Sequence, residues 1–314
     1  MTNLTNPIFH DEEAARRHFE ALRWPQGPVC PFCGSVGNAT EMKGATTRAG
    51  LYKCREKECR KPFRATMGTV YEKSHIPLHK WLLATHLMCA SKKGMSAHQL
   101  WRMLGFGSYR TAWFMAHRIR EAMNPADPAP LGGPGKVVEA DETYVGGKEH
   151  NRHASKRRGD KGLANKEAVF TLVERDGRAR SFHIASVTSK TLRHAIVTNV
   201  HRTSHLMTDG HQAYPRIGKE FAWHSVVDHS AGEYVRGGFH HSNTVENYFS
   251  ILKRGINGVY HHVSEAHLNR YLAEFDFRYS LRSGLGVSDA MRADEAVRGV
   301  VGKRLMYSQP RQAA

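Results

Sequence analysis

The chain has 314 residues, 40% of them hydrophobic, and carries 46 lysines and arginines against 29 acids, a formal net charge of +17. That excess points to a polyanionic partner, nucleic acid first and an anionic membrane surface second. No stretch approaches the ~20 consecutive apolar residues of a membrane span, and the first residues lack a signal-peptide pattern, so a cytoplasmic chain with no membrane partner is expected.

Asp11 to Arg23 reads as a helix, with Glu12 and Glu13 in its first turn and Ala15, Phe19 and Leu22 on one stripe. Pro25 and Gly27 stop it. Two close cysteine pairs follow, Cys30 with Cys33 and Cys54 with Cys59. Four thiolates in two knuckles suit a tetrahedral structural Zn²⁺, and tight turns let backbone amides face the sulfurs. Two disulfides are the alternative, but a reducing cytoplasm favours metal. Residues 42–53 suit strands, so the region reads as a zinc ribbon. Cys89, in an apolar run, reads as a buried core thiol.

Ser96 can cap a helix that turns Leu100, Met103 and Leu104 inward. Gly105-Phe106-Gly107 makes a turn, and Ser108 caps a second helix with Ala112, Met115 and Ile119 inward. Two short helices about a glycine turn outline a helix-turn-helix; any helical hairpin in a basic protein shares that outline. Arg110, His117, Arg118 and Arg120 on the second helix suit phosphates or base edges.

Residues 124–135, rich in proline and glycine, read as a linker. The expected domains are therefore 1–75 (helix and ribbon), 76–123 (helical, DNA-binding), the linker, and 136–314 (catalytic, ending in a helix). The next stretch, Lys136 to Gly147, reads as a strand ending in a Gly146-Gly147 turn. Alternation puts Val137, Glu139, Asp141 and Thr143 on one face and Val138, Ala140, Glu142 and Tyr144 on the other. Acids inside a valine-rich strand pair, bind metal or sit on an exposed edge. The basic run after it, with Lys156, Arg157 and Arg158, suits phosphate contact or a solvated loop.

Strands over 168–174 and 178–184 join through Asp176-Gly177, a hairpin signal. A helix over 191–200, a short strand over 204–208 that delivers Asp209-Gly210 at its carboxyl end, a helix near 213–221 and a strand over 223–228 follow. Then comes the stretch His241 to Gly255, a helix that Ser242 or Asn243 can cap and Gly255 can end, with Val245, Tyr248, Phe249 and Leu252 inward. Its opposite face carries Asn243, Glu246, Ser250 and Lys253. Glu246 and Lys253 are seven residues, two turns, apart. Asn243-x-x-Glu246 also fits a plain capping box. Residues 288–307 read as an amphipathic helix serving the core or a second protomer.

This order suits an α/β chain: a mixed sheet covered by helices, the ribonuclease H-like architecture, preceded by the ribbon and the helix-turn-helix-like region. Asp141, Asp209 and Glu246 are then the candidate acids, with Glu139 a possible secondary ligand and Glu142 turned away. Hard oxygen ligands select Mg²⁺ or Mn²⁺, and two such ions serve phosphoryl transfer. Lys253 would hold a neighbouring phosphate. The 21 histidines include His240-His241 and His261-His262, but no HExxH occurs, so phosphate contact or packing is expected of them.

The chain resembles the DDE insertion-sequence transposases, specifically the ISXO2-like group with an N-terminal zinc ribbon. The resemblance rests on the ribbon, Thr66 to Val70, Asp141 to Gly147, Thr208 to Gly210, Asn243 to Glu246, Leu252 to Gly255, Gly258 to His261, His267-Leu268, Arg270 to Phe275 and Phe277 to Tyr279. It implies an enzyme that cleaves at the terminal inverted repeats of its own element and joins the freed 3′-hydroxyls to target DNA. End pairing implies a homodimer or larger assembly on DNA. Some members use asparagine as third metal ligand, which makes Asn243 the alternative to Glu246; Lys253 and Arg254 would face DNA. A ribbon-bearing DNA-binding regulator without catalysis, and a nuclease that cuts without joining, are the competing readings.

Overall fold

A computed structural model describes residues 4–147, 153–156, 166–227 and 241–306. The chain divides into two compact units: Met1–Ser91 with Met95–Pro125 and Val287–Ala314, and Lys92–Gly94 with Ala126–Gly286.

In the first unit, α1 (Glu12–Arg23) begins at Asp11, whose carboxylate accepts from the Ala14 N–H at 2.6 Å. Glu12 serves a second helix. It accepts from the backbone N–H groups of Leu78 and His79, at 2.8 and 3.1 Å, and so caps α2 (Leu78–Ala90), where Pro77 offers no side-chain cap. The ribbon is an antiparallel sheet of β1 (Ala39–Glu41), β2 (Leu51–Cys54) and β3 (Pro62–Arg64), with β2 central. Tyr52 stacks on its register partner Phe63, and Trp24 meets both edge-on, anchoring the ribbon to the end of α1.

Ser96 caps α3 (Ala97–Leu104) through the Gln99 N–H, and Gly105 ends it at φ 62°, a left-handed stop that glycine adopts without strain. Ser108 caps α4 (Tyr109–Met123). Leu100, Leu104, Ala112, Met115 and Ile119 are buried as expected, but Met103 is exposed. Cys89 is fully buried in α2.

The second unit is built on β4 (Val137–Val145) at the centre of a five-stranded sheet. It pairs antiparallel with β5 (Glu167–Glu174), which pairs antiparallel with β6 (Ala179–Ile184). On the other side β4 runs parallel to β7 (His205–Asp209), and β7 parallel to β8 (Trp223–Val227). The order is β6-β5-β4-β7-β8. The Asp176-Gly177 hairpin forms as expected, with Asp176 at φ 53°.

Two apolar layers sandwich the sheet. One joins Val138, Ala140, Phe170 and Leu172 to α5 (Ser189–Asn199) and α6 (Tyr214–Gly218). The other joins Val145, Val169 and Val173 to α7 (Asn243–Gly255) and α8 (Glu265–Ser280). The expected face of α7 is the buried one: Val245, Tyr248, Phe249 and Leu252. Tyr248 donates to Asp276 of α8 at 2.6 Å, and Asp276 also accepts from the Ser181 backbone N–H and hydroxyl at 2.8 and 2.7 Å. One carboxylate thus ties α7, α8 and β6 together.

Three expectations need correction. Gly255 does not end its helix in the left-handed region. The chain runs on as a π-helical turn, Ile256–Tyr260, ended by His261 at φ 59°. Gly255 is instead a contact glycine: a Cβ there would lie 2.3 Å from the Phe275 ring and 2.6 Å from the Lys93 carbonyl oxygen. The proline-rich linker is partly docked, since Leu131 is fully buried, bonds Asn199 at 2.7 Å and bridges Val200. The last helix, α9 (Asp289–Arg298), belongs to the first unit rather than to the 136–314 region. Its Arg292 donates to the Cys89 carbonyl of α2 at 2.9 Å.

Replacing Asp276 with alanine leaves the Tyr248 hydroxyl and the Ser181 amide without their partner. Urea unfolding should show a loss of about 2–4 kcal/mol, the cost of orphaned buried polar groups; an unchanged midpoint would contradict the tie.

Candidate active site and metal centre

The four ribbon cysteines converge. Cys30 and Cys59 sulfurs lie 3.7 Å apart, Cys33 and Cys54 sulfurs 3.6 Å, and all four fall within 4.8 Å of one another. None forms a disulfide. Backbone amides of Phe32 and Cys33 face the Cys30 sulfur, that of Ser35 faces Cys33, and that of Glu56 faces Cys54. Burial opposes ionisation at Cys30, yet those amides and the neighbouring thiols pull it down to about 7. Such a set fits a closed structural Zn²⁺ site.

In the second unit, β4 places its acids on alternate faces. Glu139 is fully buried beneath the start of α7. Its two oxygens accept from the Thr244 and Val245 N–H groups, both at 2.9 Å, from the Thr244 hydroxyl at 2.9 Å, and from Arg175 Nε at 2.6 Å. Ser242, at the N-cap position, makes no capping bond of its own. So the helix is capped from the sheet, and the Asn243-x-x-Glu246 capping box is not what starts it. Glu139, a possible secondary ligand by sequence, is committed to this role.

Asp141 stands two residues further along the same face. Its strand runs parallel to β7 with Ala140 opposite Thr208, which brings Asp209, the last residue of β7, beside Asp141 in the middle of β4. Burial pushes the Asp141 carboxyl up to about 7. The Glu142 amide works against that rise, and the charges of Asp209, Glu142 and Glu246 add to it. The three candidate acids therefore share one electrostatic neighbourhood, though not packed as tightly as the four thiols. Asp209 accepts from the His211 N–H at 3.0 Å. Glu246 is exposed on α7, one turn from its start, and accepts from the Ser242 hydroxyl at 3.3 Å. Asn243 and Lys253 are exposed on the same helix. Glu142 does turn to the opposite face, where it accepts from the Tyr214 hydroxyl of α6.

The arginines expected to face DNA divide. Arg110 and Arg254 are exposed. Arg120 is only 1% exposed. Arg118 donates to the Glu72 carbonyl at 3.0 Å and lies over the Trp81 and Phe114 rings. Neither presents a free guanidinium to a phosphate, because α4 is buried on most of its circumference, His117 included. Lys156 ends a short 3₁₀ turn, Ala154–Lys156; Arg157, Arg158 and His240 lie outside the described residues. A second ligand-like group, Glu167, His183 and Glu265, comes together on β5, β6 and α8, where His183 already pairs with Glu167 at 2.8 Å. No helix among the described residues is long and apolar enough to cross a membrane.

Comparison with known proteins adds the family. Residues 130–280 match the ISXO2-like transposase domain, and residues 10–62 match the transposase zinc-ribbon domain. A Halobacterium salinarum protein described as an uncharacterized protein in transposable element ISH50 is 28% identical over 281 residues, covering 86% of this chain and 91% of its own length.

Two outcomes check this geometry. Glu139→Gln should destabilise the second unit by about 3 kcal/mol, because Arg175 loses its buried counter-charge and α7 part of its cap; thermal melts read it, and an unchanged melt would refute the capping role. Cys30→Ser should lower bound zinc, measured by metal analysis, and loosen the ribbon to proteolysis; full zinc content in that variant would contradict the Cys₄ site.

Proposed function

For a chain that belongs to the ISXO2-like transposase family, we propose a DNA transposase that binds the terminal inverted repeats of its element, cleaves the ends and transfers the 3′-hydroxyl strands to target DNA. The carrying observation is the crowding at Asp141. A half-buried carboxyl beside two other acids is an arrangement that divalent cations, bound through hard oxygen ligands, turn from repulsive to favourable. The sheet order β6-β5-β4-β7-β8, antiparallel on one side of β4 and parallel on the other, supports a ribonuclease H-like reading of the second unit.

In this reading Asp141, Asp209 and Glu246 hold Mg²⁺ or Mn²⁺. Glu246 is preferred to Asn243 because its charge reaches Asp141. Bound ions would supply Lewis-acid activation of the attacking oxygen and stabilise charge on the leaving oxygen. The protein's own groups do the rest. Glu139 and Arg175 hold the start of α7 against β4 and so set where Glu246 stands relative to Asp141. Tyr214 fixes Glu142 on the far face, away from the reacting strand. Lys253 and Arg254 hold a phosphate next to the scissile one, drawing the strand in line with the acids. The ribbon, α3 and α4 bind the element's end, with Arg110 as a phosphate contact. Pairing of two ends requires at least a homodimer on DNA.

The test is a plasmid reaction with the gene's own flanking DNA bracketing a marker, in Mg²⁺. Wild type should yield joined ends at new sites, and Asp209→Asn should yield none above background while binding the end DNA as tightly as wild type. Nicks without joining would replace the transposase with a nuclease. Binding with no new ends in any metal would replace it with a regulator.

A further inference from the structure

A basic concavity outside the triad lies at the far end of α7. It measures about 500 Å³ and is lined by Lys93, Lys253, Arg254, Asn257, Gly258 and Val259. No carboxylate lines it. Among the described residues the side chains of Lys93 and Lys253 make no ion pair or hydrogen bond. Arg254 is steadied by the Ser250 carbonyl, to which its Nε donates at 3.2 Å.

Lys93 is the unexpected member, because its neighbours in sequence, Ser91 and Met95, belong to the first unit while Lys92–Gly94 belongs to the second. Two glycines make its placement possible. A Cβ on Gly255 would meet the Lys93 carbonyl oxygen at 2.6 Å. A Cβ on Gly94, which stands at φ 97°, would meet the Tyr260 hydroxyl at 2.0 Å. Tyr260 is itself fixed, donating to the buried Glu274 at 2.7 Å. The backbone around Lys93 is thus clasped between α7 and its π-helical extension, while the lysine side chain stays exposed. On the other wall, Gly258 leaves open space that a side chain would fill.

We infer that Lys93 joins Lys253 and Arg254 in a clamp for the DNA backbone, seating a phosphate of the strand that leaves the acidic site. This rests on the transposase reading above. The site is too polar and too open for a small organic ligand, which prefers an enclosed apolar pocket. Cations without carboxylate partners around an open concavity suit a polyanion whose bound counterions are released on contact. A lysine suits the task because it acts as a point charge on a flexible stem and needs no fixed angle to the phosphate.

The experiment measures binding of the full zinc-loaded chain to a short fluorescein-labelled duplex by anisotropy, across a range of salt concentrations. Lys93→Ala should weaken binding by about fivefold and make the slope of log affinity against log salt shallower by about one, the signature of one lost phosphate contact. Lys93→Arg should restore both. Lys190→Ala, an exposed lysine on α5 across the sheet, should leave the slope unchanged. Wild-type affinity and slope in Lys93→Ala would overturn the clamp while leaving the transposase reading intact. An equal loss in Lys190→Ala would overturn it too, as a mere effect of net charge. Absence of DNA binding by the wild type would remove the functional reading and the clamp together.

Discussion

A carboxylate without solvent exposure, at the centre of a sheet, governs how the second unit is assembled. Burying Glu139 unpaired would cost several kcal/mol, more than most domains can spare. Its bonds to Arg175, Thr244 and Val245 offset that cost only if α7 begins directly over β4. The same negative charge sits at the positive end of the α7 dipole. So one side chain satisfies two orphan amides, neutralises an arginine and fixes the register of a helix on a strand. Arg175 extends the tie by donating to the His241 carbonyl at 2.7 Å, just before α7 starts.

That constraint gives the acids their positions. Asp141 follows Glu139 by one alternation of the strand, on the same face, and Glu246 follows Val245 by one residue of the helix. If Glu139 locks Val245, the exposed Glu246 is held near Asp141 in the middle of β4. The arrangement tolerates the mutual repulsion of Asp141, Asp209 and Glu246 because each stands on a separate element whose packing is settled elsewhere. Crowded carboxylates are a cost the fold carries, and on the proposed reading the cations remove it.

Much of this was legible in the sequence because local rules governed it. Alternation along Val137 to Val145 assigned each acid its face, and the structure agrees, Glu142 included. Ser96 and Ser108 cap their helices as their positions predict, whereas Asp11, read as part of its helix, caps it instead. The stripe of α7 is the buried one. What escaped was tertiary. Nothing local tells that Gly255 is there for Lys93 and Phe275 rather than to end a helix. Nothing local places α9 on α2, since an amphipathic helix specifies a buried face and not a partner. Glu139 could be recognised as special, being an acid among valines, but its partners lie 36 and 105 residues away in sequence.

Arginine was the most misleading letter, for a physical reason. Its planar guanidinium is weakly hydrated and makes several directed bonds, so it is the cation a fold can bury. Arg120, Arg278 and Arg292 are all at most 6% exposed, whereas no lysine is among the buried side chains of the described residues. Arg278 pairs with the buried Glu274, Arg292 holds the Cys89 carbonyl, and Arg118 covers aromatic rings. A net charge of +17 therefore overstates the charge facing any polyanion in its arginine part and represents it fairly in its lysine part. It follows that phosphate-facing positions are found better by exposure and want of a carboxylate partner than by clustering in the sequence. By that criterion α4, with its run of basic residues, loses most of its apparent DNA surface. The end of α7, where Lys253 stands beside a lysine 160 residues earlier in the chain, gains it.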